Sequence, residues 1–311
     1  MTSSDVITPG DEHREELAAA LVRALRDEIL VLPDDLAVYP THGAGSFCSA
    51  PSTSERTTTI GRERATNPLL QVGDEHEFVE RLLSGLGSFP TYFRTLPERN
   101  RHGVHHYRDV PALPRLTAAE VARHVDAGAV LVDARPLAEF AAGHPAGALS
   151  NVLRSVFASW LGWLVELDRP LVFVLGEGQD RAELARQCLT IGHEHLLGEL
   201  DRGVTAWADA GYPIRTIPLV GPTAMADSVL DVRQDAEWAA GHVPDAQLVE
   251  LGALPDTKVA AEPVTIMCGH GERAMTAASL LTARGHWDVS VLAGGPADWA
   301  TATGIDLSIE P

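Results

Sequence analysis

The chain has 311 residues, 45% hydrophobic and 22% charged, a globular composition at a length that suits two or three domains. It carries 24 Lys plus Arg against 43 Asp plus Glu, for a formal charge of −19. That acidity, with no basic run to break it, predicts no nucleic-acid binding and no attachment to an anionic membrane surface.

The N-terminus lacks a basic segment followed by a long apolar one, so no signal peptide is expected. No apolar stretch reaches the roughly 20 residues that span a bilayer. Three cysteines, Cys48, Cys188 and Cys268, are too few for a disulfide framework and point to a reducing compartment. A soluble cytoplasmic protein is expected.

In chain order, residues 11–30 (DEHREELAAALVRALRDEIL) form an amphipathic helix with an acidic first turn. Residues 36–39 suggest a short strand, 40–57 a Gly/Ser-rich loop, and 75–86 a second helix. Residues 90–114 are rich in Pro, Arg and His and are expected to be a linker. Boundaries fall near residues 113 and 217.

Beyond residue 113 the chain repeats itself. Residues 132–148 (VDARPLAEFAAGHPAGA) align without a gap on 230–246 (LDVRQDAEWAAGHVPDA), and 9 of these 17 positions are identical. Ile191-Gly192-His193 parallels Arg284-Gly285-His286, and Leu200-Asp201-Arg202-Gly203 with Trp207 parallels Leu292-Ala293-Gly294-Gly295 with Trp299. Each copy alternates short apolar runs (129–132, 171–174; 228–230, 264–267) with helical spacing (181–190; 274–284). Strands alternating with helices predict an α/β fold: two parallel-sheet domains with helices on both faces. The ligand site of such a sheet lies at the carboxyl ends of its strands.

At one such end stands Cys268-Gly269-His270-Gly271-Glu272-Arg273, followed by a helix. Glycines let successive backbone N–H groups converge on an anion, and the helix N-terminus adds partial positive charge. Such surroundings favour an ionised, nucleophilic sulfur. Arg273 is expected to close the loop by bonding carbonyls or a substrate anion. The bland alternative for Cys268 is a buried, inert cysteine.

Asp-x-Arg, Glu-Trp, Gly-His, then Cys-x-x-Gly-x-Arg, then Gly-Gly and Trp, in that order, resemble the rhodanese (sulfurtransferase) family over residues 113–311, in two copies. The six-residue span from Cys268 to Arg273 looks like its sulfurtransferase form; the related form that accepts phosphate or arsenate has one residue more. The resemblance implies a persulfide relay through Cys268, from thiosulfate or a persulfide to a thiol or cyanide, with no cofactor. In the first copy Leu175-Gly176-Glu177-Gly178-Gln179-Asp180 overlies the loop, with Leu175 for the cysteine and Asp180 for the arginine. That copy (113–216) is expected to be silent and the second (217–311) catalytic.

Gly269, His270, Gly271, Glu272, Arg273 and Arg233 are the expected substrate-binding residues. Arg233 matches an arginine that binds the donor anion in tandem members; its alternative is a salt bridge with Asp231 or Glu237. His242 reads as a turn-stabilising histidine, and His270 either tunes donor choice or is simply exposed. Glu272 departs from the family, since a carboxylate beside the sulfur opposes a thiosulfate donor. Cys188 reads as core.

Residues 38–48 (VYPTHGAGSFC), with Ser54-Glu55-Arg56, Ile60-Gly61 and Asn67-Pro68, resemble the C-terminal portion of a metallo-β-lactamase-fold hydrolase. The branch implied is the persulfide dioxygenase or glyoxalase-II-like one, with residues 1–112 as a truncated segment and linker. His42 matches a metal-site histidine and Asp5 faintly matches a bridging aspartate. The family's His-x-His-x-Asp-His cluster does not occur in the chain, and a catalytic metal needs about three protein ligands. No metal and no dioxygenase or hydrolase activity is therefore expected. The segment is expected to dock on the repeats, to form a homodimer, or to pair with a separately encoded half-domain. The competing reading of the whole is a non-catalytic rhodanese-fold binding or regulatory protein, or a remnant of such a fusion.

Overall fold

The structure, a computed structural model, describes residues 11–39, 57–85, 90–103, 105, 107–259 and 263–309. Asp5, His42 and Cys48 lie outside them, as does nearly all of the loop expected at 40–57. The chain divides into two compact units, Met1–Val104 and His105–Pro311.

In the first unit, α1 (Asp11–Ala24) continues into a π-helical turn, Leu25–Ile29. Ala18 and Val22, one helical turn apart, are buried. They pack with Val79 and with Val72 and Phe78, respectively. Strands β1 (Ala37–Val38) and β2 (Thr58–Thr59) pair antiparallel. Helix α2 (Ile60–Thr66) starts at Thr59, whose side chain accepts from the Arg62 N–H, and α3 (Glu75–Ser84) at Asp74, which accepts from Glu77. The expected linker at 90–114 is partly helical instead. It holds a 3₁₀ turn (Thr91–Arg94) and α4 (Leu96–His102). Pro97 suits a first turn, while Arg99, Arg101 and His102 face the negative end of the helix dipole.

The second unit holds both repeats. Its elements are β3 (Arg115–Leu116), α5 (Ala118–Asp126), β4 (Val130–Asp133), α6 (Leu137–Ala142), β5 (His144–Pro145), β6 (Leu149–Ser150), α7 (Phe157–Leu164), β7 (Leu171–Val174), α8 (Arg181–Thr190), β8 (Leu196–Leu200), α9 (Gly203–Asp209) and β9 (Ile214–Arg215). Then come β10 (Leu219–Val220), β11 (Ser228–Asp231), α10 (Asp235–Ala239), β12 (Gln247–Leu248), β13 (Val264–Met267), α11 (Glu272–Ala283), β14 (Val289–Leu292) and α12 (Pro296–Thr303). The sheets run β3-β8-β7-β4-β6 and β10-β14-β13-β11-β12. Every ladder in them is parallel, and the two orders are equivalent strand for strand. The α/β class read from the sequence is the one observed.

The identities between the repeats have structural causes. Arg135 Nε and Nη2 donate to Asp133 at 2.9 and 2.6 Å, and Nη2 also reaches the Gly143 carbonyl at 2.8 Å. Arg233 repeats this on Asp231 at 3.0 and 2.7 Å and on Gly241 at 2.9 Å. Each pair fastens a strand end to the close of the next helix. His144 stacks on Phe140 and His242 on Trp238, with ring centroids 3.8 and 3.6 Å apart. Each His Nδ1–H donates one helical turn back, to Phe140 O and Trp238 O. A carbonyl can only accept, so that nitrogen carries the proton.

The repeats share one hydrophobic core that runs from Ala118 to Val291. Helix α11 lies at its centre, and Ala274, Met275, Thr276, Ala277, Ala278, Ser279 and Leu281 are all buried. A helix buried on most sides loses its amphipathic signature. It meets β13 and β14 of its own sheet and also β6 and α6 of the first repeat. There Ser279 Oγ accepts from the Ser150 N–H at 3.1 Å. A Cβ on Gly252 would meet the Trp163 ring at 2.3 Å, so the repeats approach there closely enough to require glycine.

Candidate active site

Sheet register puts the site together. Asp231 lies opposite Met267 in the parallel β11–β13 ladder, so the Asp-x-Arg motif and Cys268 emerge side by side at the carboxyl ends of their strands. In the first repeat Asp133 lies opposite Val174, which places Leu175 where the second repeat has Cys268.

Cys268 is 2% exposed. The Gly271 N–H donates to its Sγ at 3.1 Å. Gly271, at φ +90, precedes the first turn of α11, and only glycine adopts that backbone without strain. Gly269 is half-buried and His270 exposed. Behind the loop, a Cβ on Gly295 would lie 2.4 Å from the Gly269 carbonyl oxygen. The second glycine of the Gly-Gly pair is therefore needed for the loop to sit against it.

Arg273 is placed differently from the expectation. Its Nη1 and Nη2 donate to both Glu237 oxygens at 2.6 and 2.7 Å, and its guanidinium stands 5.7 Å from the Trp160 ring centre. Burial alone pulls the Arg273 pKa down. The Glu237 hydrogen bonds and the charges of Cys268, Glu237 and Asp231 outweigh burial and leave it raised. Burial likewise pushes the Glu237 carboxyl up, but Arg273 holds it below the ordinary carboxylate range. The carbonyl clamp expected of Arg273 occurs in the first repeat at Arg181. Its Nη1 donates to Gly176, Glu177 and Gln179 carbonyls at 2.8, 3.2 and 2.6 Å. Asp180, aligned with Arg273 in sequence, instead caps α8 by accepting from Ala182 and Glu183.

Arg233 is 7% exposed and its guanidinium is engaged by Asp231 and by the Glu237 and Gly241 carbonyls. This is the salt-bridge arrangement. Glu272 is half-buried and pairs with Arg154 of the first repeat at 3.2 Å. Leu137 also comes from the first repeat, and its methyls lie 3.6 Å from where a Gly271 Cβ would stand. Sequence reasoning missed Glu237, Gly295, Leu137, Trp160 and Arg154. Glu237, in the repeated Asp-x-Arg…Glu segment, and Gly295, in the Gly-Gly pair, carried a signal; Leu137, Trp160 and Arg154 become neighbours only through packing. Cys188 is buried, and burial pushes its thiol up to about 12. Among the described residues, no group of three or more His, Cys, Asp or Glu side chains is placed to hold a metal. No helix among them is long and apolar enough to cross a membrane.

The family model for the rhodanese-like domain matches residues 117–210 and 221–302. Thiosulfate sulfurtransferase GlpE of Pseudomonas fluorescens (strain SBW25) is 36% identical over 83 residues, which cover 26% of this chain and 76% of the relative. GlpE of Pseudomonas aeruginosa (strain LESB58) is 29% identical with the same coverage. Among solved structures, a metallo-beta-lactamase from Staphylococcus aureus has a TM-score of 0.47 at 22% identity, covering 60% of this chain and 52% of its own. A thiosulfate sulfurtransferase from Pseudomonas aeruginosa has a TM-score of 0.28 at 22% identity, covering 67% of this chain and 46% of its own. The chain thus spans about half the length of these two solved proteins. The family rests on the sequence match, which covers more than half of the chain in two places: the protein belongs to the rhodanese-like domain family, with two such domains in tandem.

Proposed function

We propose that the protein is a rhodanese-type sulfurtransferase, with residues 217–311 catalytic and residues 113–216 silent. The carrying observation is the Gly271 N–H directed at Cys268 Sγ, at a strand's carboxyl end and just before a helix N-terminus. That setting stabilises negative sulfur. The Cys268 thiolate attacks the outer sulfur of thiosulfate or a persulfide. A Cys268 S–S bond forms, the donor's S–S bond breaks, and sulfite or a thiolate leaves with the electron pair. A thiol or cyanide acceptor then takes the outer sulfur and restores the thiolate. Gly269, His270 and Gly271 frame the transferred sulfur. Glu272 and Arg273 flank it, and Arg233 supports it by holding the end of β11. The chain's own residues perform the transfer without a cofactor.

The test is mass spectrometry after incubation with thiosulfate or a low-molecular-weight persulfide. Gain of one sulfur on Cys268, absent in Cys268→Ser, is the expected result. No gain on a folded chain overturns the proposal in favour of a second reading, a non-catalytic rhodanese-fold binding or regulatory protein. That reading draws on the near-complete burial of Cys268 and on the engagement of Arg273 by Glu237. For residues 1–112 the proposal is a persulfide dioxygenase-like segment, supported by the likeness of residues 38–48. Homodimerisation through it, or pairing with a separate half-domain, is tested by light scattering; a monomer at all concentrations excludes the dimer. The sparse cysteines make a cytoplasmic setting the one proposed.

A further inference from the structure

Charges around the loop are paired one for one: Arg233 on Asp231, Arg273 on Glu237, Arg154 on Glu272. The first two pairs are internal to the second repeat. The third crosses from the first repeat and is the more open to solvent, with its side chains 38% and 31% exposed.

Arg154 is held for this contact. The neighbouring Leu153 N–H donates to Ala134 O at 3.0 Å, and Arg154 O accepts from Phe157 N at 2.9 Å and Gln187 Nε2 at 3.0 Å. The backbone is thus anchored in the first repeat while the guanidinium reaches out. Its target, Glu272, follows Gly271, the residue whose N–H meets the sulfur. An unpaired carboxylate there would oppose any anionic donor. Two bland accounts compete. Half-exposed ion pairs contribute little to stability, and a carboxylate in a helix's first turn is favourable in itself. Neither predicts a dependence on donor charge, which is what separates them from a role at the sulfur site.

We infer that Arg154, supplied by the first repeat, is a specificity-determining residue of the sulfur site: by neutralising Glu272 it sets how much negative charge a donor can carry. This rests on the sulfur-transfer reading. With the three pairs closed, the loop offers no surplus cation, which suits a singly charged organic hydropersulfide better than doubly charged thiosulfate. Under this inference the silent repeat completes the site of its partner.

The experiment follows sulfur gain on Cys268 of the full chain by intact mass, with thiosulfate and with freshly prepared benzyl hydropersulfide. In Arg154→Met the thiosulfate rate is expected to fall about tenfold further than the hydropersulfide rate. Glu272→Gln raises thiosulfate use relative to hydropersulfide, and combining the two returns the ratio to within about twofold of the parent. Arg154→Lys keeps the charge and the ratio, which guards against misfolding of the methionine variant. An equal effect of Arg154→Met on both donors, or none, overturns the inference and leaves a structural tie. No sulfur gain in the parent chain from either donor overturns the sulfur-transfer reading itself, and the inference with it.

Discussion

The loops that follow β7 and β13 start from the same register and are stabilised in different ways. In the first, Gln179 folds back: its Oε1 accepts from the Gly176 N–H at 2.8 Å and its Nε2 donates to Ala134 O at 2.7 Å. Arg181 ties three loop carbonyls from the other side. Helix α8 then begins at Arg181 behind an Asp180 cap, two aligned positions later than α11 begins behind Gly271. In the second loop the thiol takes a different amide, that of Gly271, and Glu272, the counterpart of Gln179, turns out to Arg154. Unsatisfied amides are costly where water is excluded. The loop without the cysteine uses its own Gln179 side chain to bond a half-buried amide, that of Gly176.

Under the proposed function, the largest expected effect tests whether a cysteine alone would make the first loop active or whether the Gln179 bond to Gly176 keeps it inactive. Combining Leu175→Cys with Cys268→Ser moves the thiol to the other repeat. Gln179 still holds Gly176, and Leu175 is already 6% exposed. We expect sulfur uptake to stay at least about a thousandfold below that of the parent, as when a nucleophile is removed. Uptake by the relocated thiol near the parent rate would show that the two loops differ by one residue alone.

A smaller effect separates the glycines that end the two motifs. Gly295→Ala drives a methyl to 2.4 Å from the Gly269 carbonyl, backbone against backbone. We expect a loss of about 2 kcal/mol in denaturant unfolding and, with the loop displaced, slower sulfur uptake. At the equivalent Gly203 the nearest atom beyond its neighbours is Leu175 O at 3.9 Å, and the strain comes from φ +61. Gly203→Ala is expected to cost about 1 kcal/mol. Gly295 itself is extended, at φ −134, so equal costs would mean that the loop yields to the added methyl and that the close approach does not require glycine.

These contrasts mark what could be read in advance. The repeat, the strand ends and the Cys268 loop were legible because apolar periodicity and the Asp-x-Arg and Gly-His identities record backbone demands that recur in both copies. Leu175 in place of Cys268 was legible for the same reason. Arg273 is expected on the loop carbonyls or on a substrate anion from its place in the loop; the Glu237 carboxylate takes it instead, and in the first repeat Arg181, next to the capping Asp180, bonds the carbonyls. Glu237 and Arg273 are 36 residues apart, and only the β11–β13 pairing makes them partners. Arg154, Trp160 and Leu137 belong to the packing of one repeat on the other, which no pattern within a single repeat encodes. The helical turns at 91–102 were hidden by a composition typical of linkers.

The smallest effect lies in the stacked histidine of the first repeat. Burial holds His144 below the ordinary 6.5, with Arg135 adding to this, while the Phe140 carbonyl and the Asp133 charge push the other way. The unfolded chain therefore takes up a proton at a pH where the folded chain does not. The contribution to stability is complete above 6.5 and declines as pH falls from there through the lowered folded value. His144→Asn keeps a side-chain N–H for the Phe140 carbonyl and removes the titration. Denaturant midpoints of the parent and this variant should converge as the pH is lowered below 6.5, with the parent ahead at pH 8. A gap that stays constant with pH would show that the ring acts through its stack on Phe140, 3.8 Å away, and not through its protonation.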